Sequence, residues 1–188
     1  HRFVWSHHHV ILDGWSLSIV LADLFTELYA LEEGRPWLAP PPPPFADFVR
    51  YLSGLDPNPS LAYWQKTLEG FDEPTFLPGP SSAHAGPPSH GRKTFRLDED
   101  LTEAIEDLAR RQHTTLSTIL RSLWSVVLSR LTDRTDVVFG ATVSGRPPDL
   151  LGCDRLVGLC IHTIPVRARL RSDDRFEDLV RRMDQAGQ

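Results

Sequence analysis

Five consecutive prolines, Pro40 to Pro44, limit more than any other feature what this chain can fold into. Proline offers no amide hydrogen to a helix or a sheet and holds φ at roughly −65°, so the run can only be an extended, semi-rigid connector. A second interruption covers residues 70–91, rich in Pro, Gly, Ser and His and without apolar periodicity, which reads as a loop or linker. Ordered elements must lie around these breaks. Ahead of the prolines, Phe3–Ser6 reads as a strand running into a polar turn at His7–Gly14. Ser16 is placed to cap a helix whose apolar stripe is Leu17, Val20, Leu21, Leu24, Phe25, Leu28 and Leu31, ended by Gly34 and Pro36. Two short helices are expected at Phe45–Ser53 and Pro59–Glu69. Beyond Arg92 come a strand at Thr94–Leu97, helices at Leu101–Gln112 and Leu116–Leu131, and a buried strand at Asp136–Val143. A turn-rich loop at Ser144–Cys153 follows, then a long strand at Val157–Leu170 or a strand there with a bend at Pro165, and a helix from Phe176 without a stop signal. Strands flanked by helices imply layered α/β architecture.

Composition excludes several classes. Of 188 residues, 40% are apolar and 24% charged, as in ordinary globular proteins, and the formal charge of −5 gives no electrostatic reason for nucleic acid or an anionic membrane as partner. No run reaches the ~18 consecutive apolar residues of a membrane span, and no signal peptide is evident. Cys153 and Cys160 sit in no metal or redox spacing, so a reducing cytoplasm is expected. The chain opens at His1 and holds its one methionine at Met183, so we expect a piece of something longer.

Chemistry concentrates in Ser6-His7-His8-His9-Val10-Ile11-Leu12-Asp13-Gly14-Trp15-Ser16. Histidine can exchange a proton at working pH if its ring is fixed at the rim of a cleft. Asp13, just before the helix, is placed to cap the turn or to bond a distant arginine. Gly14 permits a close backbone approach or a positive φ, and its amide lies near the positive end of the helix dipole, where developing negative charge is favoured. Three other readings stand beside this one: a polar turn without function, a metal site, and histidines that satisfy buried backbone groups. Alternation along a strand would send His8 and His9 to opposite faces; His7 and His9 would share one, but no third ligand follows at a familiar spacing, so no metal is expected.

His8-His9-x-x-x-Asp13-Gly14-Trp15-Ser16 resembles the H-H-x-x-x-D-G signature of nonribosomal peptide synthetase condensation domains, in the superfamily that holds chloramphenicol acetyltransferase. Other segments resemble further elements of that family, in its order. They are Phe45-Ala46-Asp47-Phe48, Tyr63-Trp64-Gln65, Gly70-Phe71-Asp72-Glu73-Pro74, Ser144-Gly145-Arg146-Pro147-Pro148, and Val157-Gly158-Leu159 through Thr163-Ile164-Pro165-Val166-Arg167. The chain departs at Cys160-Ile161-His162-Thr163, where the family usually carries Phe-Ile-Asn-Thr. Cysteine empties volume there, and His162 adds a titratable side chain.

The resemblance implies an α/β fragment of the two-lobed chloramphenicol acetyltransferase-like fold. Residues 1–75 would close the first lobe, 76–91 would link, and 92–188 would open the second. It implies amide-bond formation between a donor acyl thioester and an acceptor α-amine, both carried on 4'-phosphopantetheine of upstream and downstream peptidyl carrier domains, with an adenylation domain in the same polypeptide. No cofactor would be bound by the domain itself. His9 would be the catalytic base or positioner and Gly14 an oxyanion donor. His8 and Asp13 would be structural, with Arg146 the first candidate partner of Asp13 and Arg167 the second. Trp15, Ser16 and His162 would face the substrate tunnel. The Asp-Gly-Trp-Ser form resembles the subclass taking an L-configured donor, while heterocyclization domains carry aspartates in place of the doublet. Two alternatives are a stand-alone acyltransferase using a coenzyme A thioester and a condensation-like module that only recruits partners, the latter generally lacking the doublet.

Overall fold

The computed structural model describes residues 2–36, 40–79 and 91–187; most of the expected linker at 76–91 lies outside them. The element order is α1 (Gly14–Glu32), α2 (Phe45–Ser53), α3 (Asn58–Leu68), α4 (Glu99–Arg111), α5 (Leu116–Thr132), β1 (Asp136–Val143), β2 (His162–Arg169) and α6 (Phe176–Ala186). Two compact units emerge: His1–Tyr63 with Thr142–Ile164, and Trp64–Ala141 with Pro165–Gln188. Both are discontinuous in the chain.

In the first unit, α2 begins directly after the proline run, with Pro44 at its N-cap in an extended conformation. Its buried residue, Phe48, packs with Leu156 and Cys160, and Leu150 lies against them. Gly158 gives room there, because a Cβ would stand 2.0 Å from the Phe45 ring, which would have to move. By length and composition alone α1 could cross a bilayer. Side-chain bonds instead tie it into the unit: Ser16 Oγ donates to Gly158 O at 2.7 Å, and Asp23 accepts from Arg155 at 3.5 Å. Arg155 also donates to Pro40 O at 2.7 Å, which anchors the start of the prolines.

In the second unit, α5 packs against α6 and α4. Leu128, Val137, Ala168, Leu179 and Met183 form one core cluster, and Ala109, Ile119 and Val180 another. β1 and β2 pair with each other, and the Leu170 amide donates to Thr135 O at 2.7 Å beside them, which makes the pair antiparallel. Arg167 is nearly buried. It pairs with Asp136 at 2.6 Å and caps the C-terminal end of α3 by donating to Thr67 O and Glu69 O.

Several sequence expectations are corrected. Phe3–Ser6 and Thr94–Leu97 are not strands, since no neighbour supplies a ladder among the described residues, and Phe3 and Phe95 are exposed. Asp13, not Ser16, is the N-cap of α1, and the helix begins at Gly14. The long strand from Val157 starts only at His162, because side chains of α1 and its cap occupy the amides of Gly158 and Cys160. α6 does meet a stop: Gly187 is its C-cap.

Candidate active site

Residues His8 to Ile11 form a tight turn, closed by the Ile11 amide on His8 O at 3.2 Å. His8 is held locally, its Nδ1 accepting from Val10 N at 3.1 Å, which places the remaining ring proton on Nε2 when the ring is neutral. His9 is exposed, and among the described residues no group hydrogen-bonds its ring. The two histidines therefore differ through a turn hydrogen bond and not through strand alternation.

Asp13 follows the turn and is buried. Oδ1 accepts from the Ser16 amide at 2.8 Å and the Ser16 hydroxyl at 2.7 Å. Oδ2 accepts from Arg146 Nη1 at 2.9 Å and from the Cys160 amide at 3.0 Å. Arg146 Nη2 donates to Asp13 Oδ1 at 3.1 Å, Ser16 Oγ at 3.0 Å and Leu156 O at 3.1 Å. Arg167, the second candidate partner, is committed to Asp136 instead. Burial would raise the Asp13 carboxyl, but hydrogen bonds from Arg146, Ser16 and Cys160 outweigh it and hold the group far below the usual carboxylate range. Burial pushes the Cys160 thiol up, opposed by Arg146 and assisted by the Asp13 charge, and the side chain packs in the core with Phe48 and Leu156.

Gly14 occupies the first turn of α1, and a Cβ built on it meets nothing within 4 Å; its φ is not positive. The expected backbone reason for this glycine is absent, and the space beside it is open. Gly14, Trp15, Ser18, Ile19 and Ala22 line an open groove of about 590 Å³. The half-exposed Trp15 is fixed by its indole N–H on Asp154 O at 2.9 Å, and Arg146 lies 5.6 Å from its ring centroid. His162 is exposed at the start of β2, with its ring against Gly145.

Ser16 requires correction. Expected to face a tunnel, it is fully buried, and its hydroxyl is occupied by Asp13, Arg146 and Gly158. The sequence also gave no weight to Gly145, where a Cβ would stand 2.1 Å from Cys160 O and 2.2 Å from the His162 ring. This close approach lets the chain before Arg146 reach the segment before β2. One local cue to Ser16 existed, since an aspartate N-cap accepts from the amide three residues on. Among the described residues no three His, Cys, Asp or Glu side chains gather as a metal would require.

The arrangement is a turn with one exposed histidine, anchored by a buried carboxylate–guanidinium pair, beside a groove that begins at a glycine. A model described as the condensation domain matches residues 1–187. Surfactin synthase subunit 3 of Bacillus subtilis (strain 168) is 40% identical over 184 residues, covering 98% of this chain and 14% of that protein. The first condensation domain of the calcium-dependent antibiotic synthetase superposes with a TM-score of 0.77 at 23% identity, covering 96% of this chain and 42% of that one. The X-domain from teicoplanin biosynthesis, also solved in complex with OxyB, gives a TM-score of 0.76 at 27% identity, covering 95% and 42%. The fold is thus the chloramphenicol acetyltransferase-like α/β fold, of which the chain spans about two fifths. With its signature turn, its buried pair and a family match running nearly end to end, the chain belongs to the condensation-domain family.

Proposed function

We propose that this chain carries the reacting turn of a domain that forms amide bonds in nonribosomal peptide synthesis. The acceptor's α-amine attacks the donor's thioester carbonyl, the C–N bond forms, and the C–S bond breaks to leave the donor carrier's phosphopantetheine thiol. The amine's proton passes by way of His9 to the departing sulfur. An α-amine has a pKa of about 8, so a fraction is already neutral at pH 7 and the site's main task is alignment. The Gly14 amide faces the oxyanion, and its missing side chain leaves room for the thioester. Trp15 and His162 contact the bound arms. The carriers, an adenylation neighbour, the two-lobe division at 76–91, an L-configured donor and a cytoplasmic setting belong to the same reading.

The observation that carries it is the asymmetry of the doublet. His8 is tied to the backbone by Val10, while His9 is exposed on a turn braced by Asp13 and Arg146. The test is single-turnover transfer between two preloaded carriers in the full-length protein. His9→Ala should slow transfer by ~10²–10⁴ while both carriers stay loaded, and His8→Ala should act mainly through stability. A wild-type rate for His9→Ala with loss in His8→Ala reverses the assignment.

A recruitment role is the second reading, favoured by the likeness to an X-domain solved with OxyB. No transfer between preloaded carriers by the unsubstituted full-length protein, together with its binding to OxyB, would support it, whereas full rates in both histidine variants would mean that alignment of an already neutral amine is enough.

A further inference from the structure

No substrate can touch the Ser16 side chain, because it has no exposed surface and any further chain packed on this one can only bury it more. Its hydroxyl has one hydrogen and two lone pairs. It accepts from Gly158 N at 3.0 Å and Arg146 Nη2 at 3.0 Å, and Asp13 Oδ1 and Gly158 O, both at 2.7 Å, compete for its hydrogen. All its capacity is used, on groups that come from the turn, the buried pair and the segment before β2.

We propose, resting on the reading above, that Ser16 is a positioning residue for the transfer reaction, setting the register of the histidine-bearing turn against residues 156–160. An alanine there leaves the cap of α1 intact, since the Ser16 backbone amide still reaches Asp13. It also leaves the Asp13–Arg146 pair and the Cys160 amide bond in place. What it removes is the bridge to both polar groups of Gly158, together with the hydroxyl's own bonds to Asp13 Oδ1 and Arg146 Nη2. The ion pair holds, and the turn is free to shift by a fraction of an ångström relative to the groove. A shift of that kind acts on alignment before it acts on folding.

The experiment is a double-mutant cycle of Ser16→Ala and His9→Ala in the full-length protein, read by single-turnover transfer between preloaded carriers at matched folded fraction. Ser16→Ala should lower the rate about tenfold to a hundredfold with the acceptor's half-saturating concentration little changed. In the His9→Ala background the same substitution should change the rate by no more than about twofold, because nothing is left to align. An equal fall in both backgrounds, or no fall in either, overturns the positioning role. A wild-type rate for His9→Ala overturns the underlying assignment of His9, a separate result seen before Ser16 is altered. If Ser16→Ala does not fold, Ser16→Cys, which keeps a polar hydrogen there and weakens the hydrogen bonds, runs the same cycle.

Discussion

Asp13 is held as a carboxylate in a place where burial alone would favour the neutral acid. The guanidinium of Arg146 and the donors of Ser16 and Cys160 decide the matter. Its folded pKa lies below the unfolded value of about 3.9, so the stabilisation is complete above that pH and is lost as pH falls through the folded value. Asp13→Asn leaves Arg146 buried without a counter-charge, at about 3–5 kcal/mol. In the full-length protein we expect a lowered melting temperature at pH 7 and a gap to the unsubstituted protein that narrows below about pH 4. Thermal melts across pH 2–7 check this, and an unchanged melt with abolished transfer would make Asp13 a reacting group. Gly14 gives the opposite pattern. A methyl at Gly14 has free space around it and improves helix propensity by up to about 1 kcal/mol, so Gly14→Ala should melt no lower than its parent. Transfer should nonetheless fall, because the methyl stands beside the groove where the proposed reaction would bring the thioester. An active Gly14→Ala would remove Gly14 from the reacting surface.

The segment from Leu156 to Ile161 has the apolar composition of a strand and is not one. The amides of Gly158 and Cys160 donate to Ser16 and Asp13, so they cannot join a ladder, and pairing begins where they end. Two glycines make this possible, Gly145 against Cys160 and Gly158 against Phe45. Neither has a positive φ; their need is for space. Gly158→Ala must push the Phe45 ring or the backbone aside, with a loss of about 1–3 kcal/mol typical of overpacking. Chemical denaturation of the full-length protein reads this directly. Phe45→Leu should recover part of the loss, and a lack of any recovery would place the strain elsewhere.

Across the whole molecule, large apolar faces stay uncovered. α1 buries only Ser16 and Ala30, and Phe25, Leu28, Tyr29 and Leu31 are exposed along it. On α5, Leu116, Leu120 and Trp124 line an open groove with Phe139. Faces of this size on an isolated chain drive self-association. We expect these 188 residues, expressed alone, to aggregate or bind a hydrophobic dye strongly and to show no transfer. A monodisperse, cooperatively melting and active preparation would contradict this.

Helix positions, the β1 boundaries, the connector at the prolines and the signature turn were legible from sequence. Each depends on neighbours within a few residues: apolar steps of three and four, a cap, a proline that cannot donate. The burial of Ser16, the choice of Arg146 over Arg167 and the interrupted strand before β2 were decided only by tertiary structure. The groups responsible lie far apart in the chain, Asp13 being separated from Arg146 by 133 residues and from Cys160 by 147. Local pattern could place a carboxylate at the start of a helix. Only the folded chain could decide which distant donors would surround it, because a buried charge takes whichever partners the packing brings within hydrogen-bond reach.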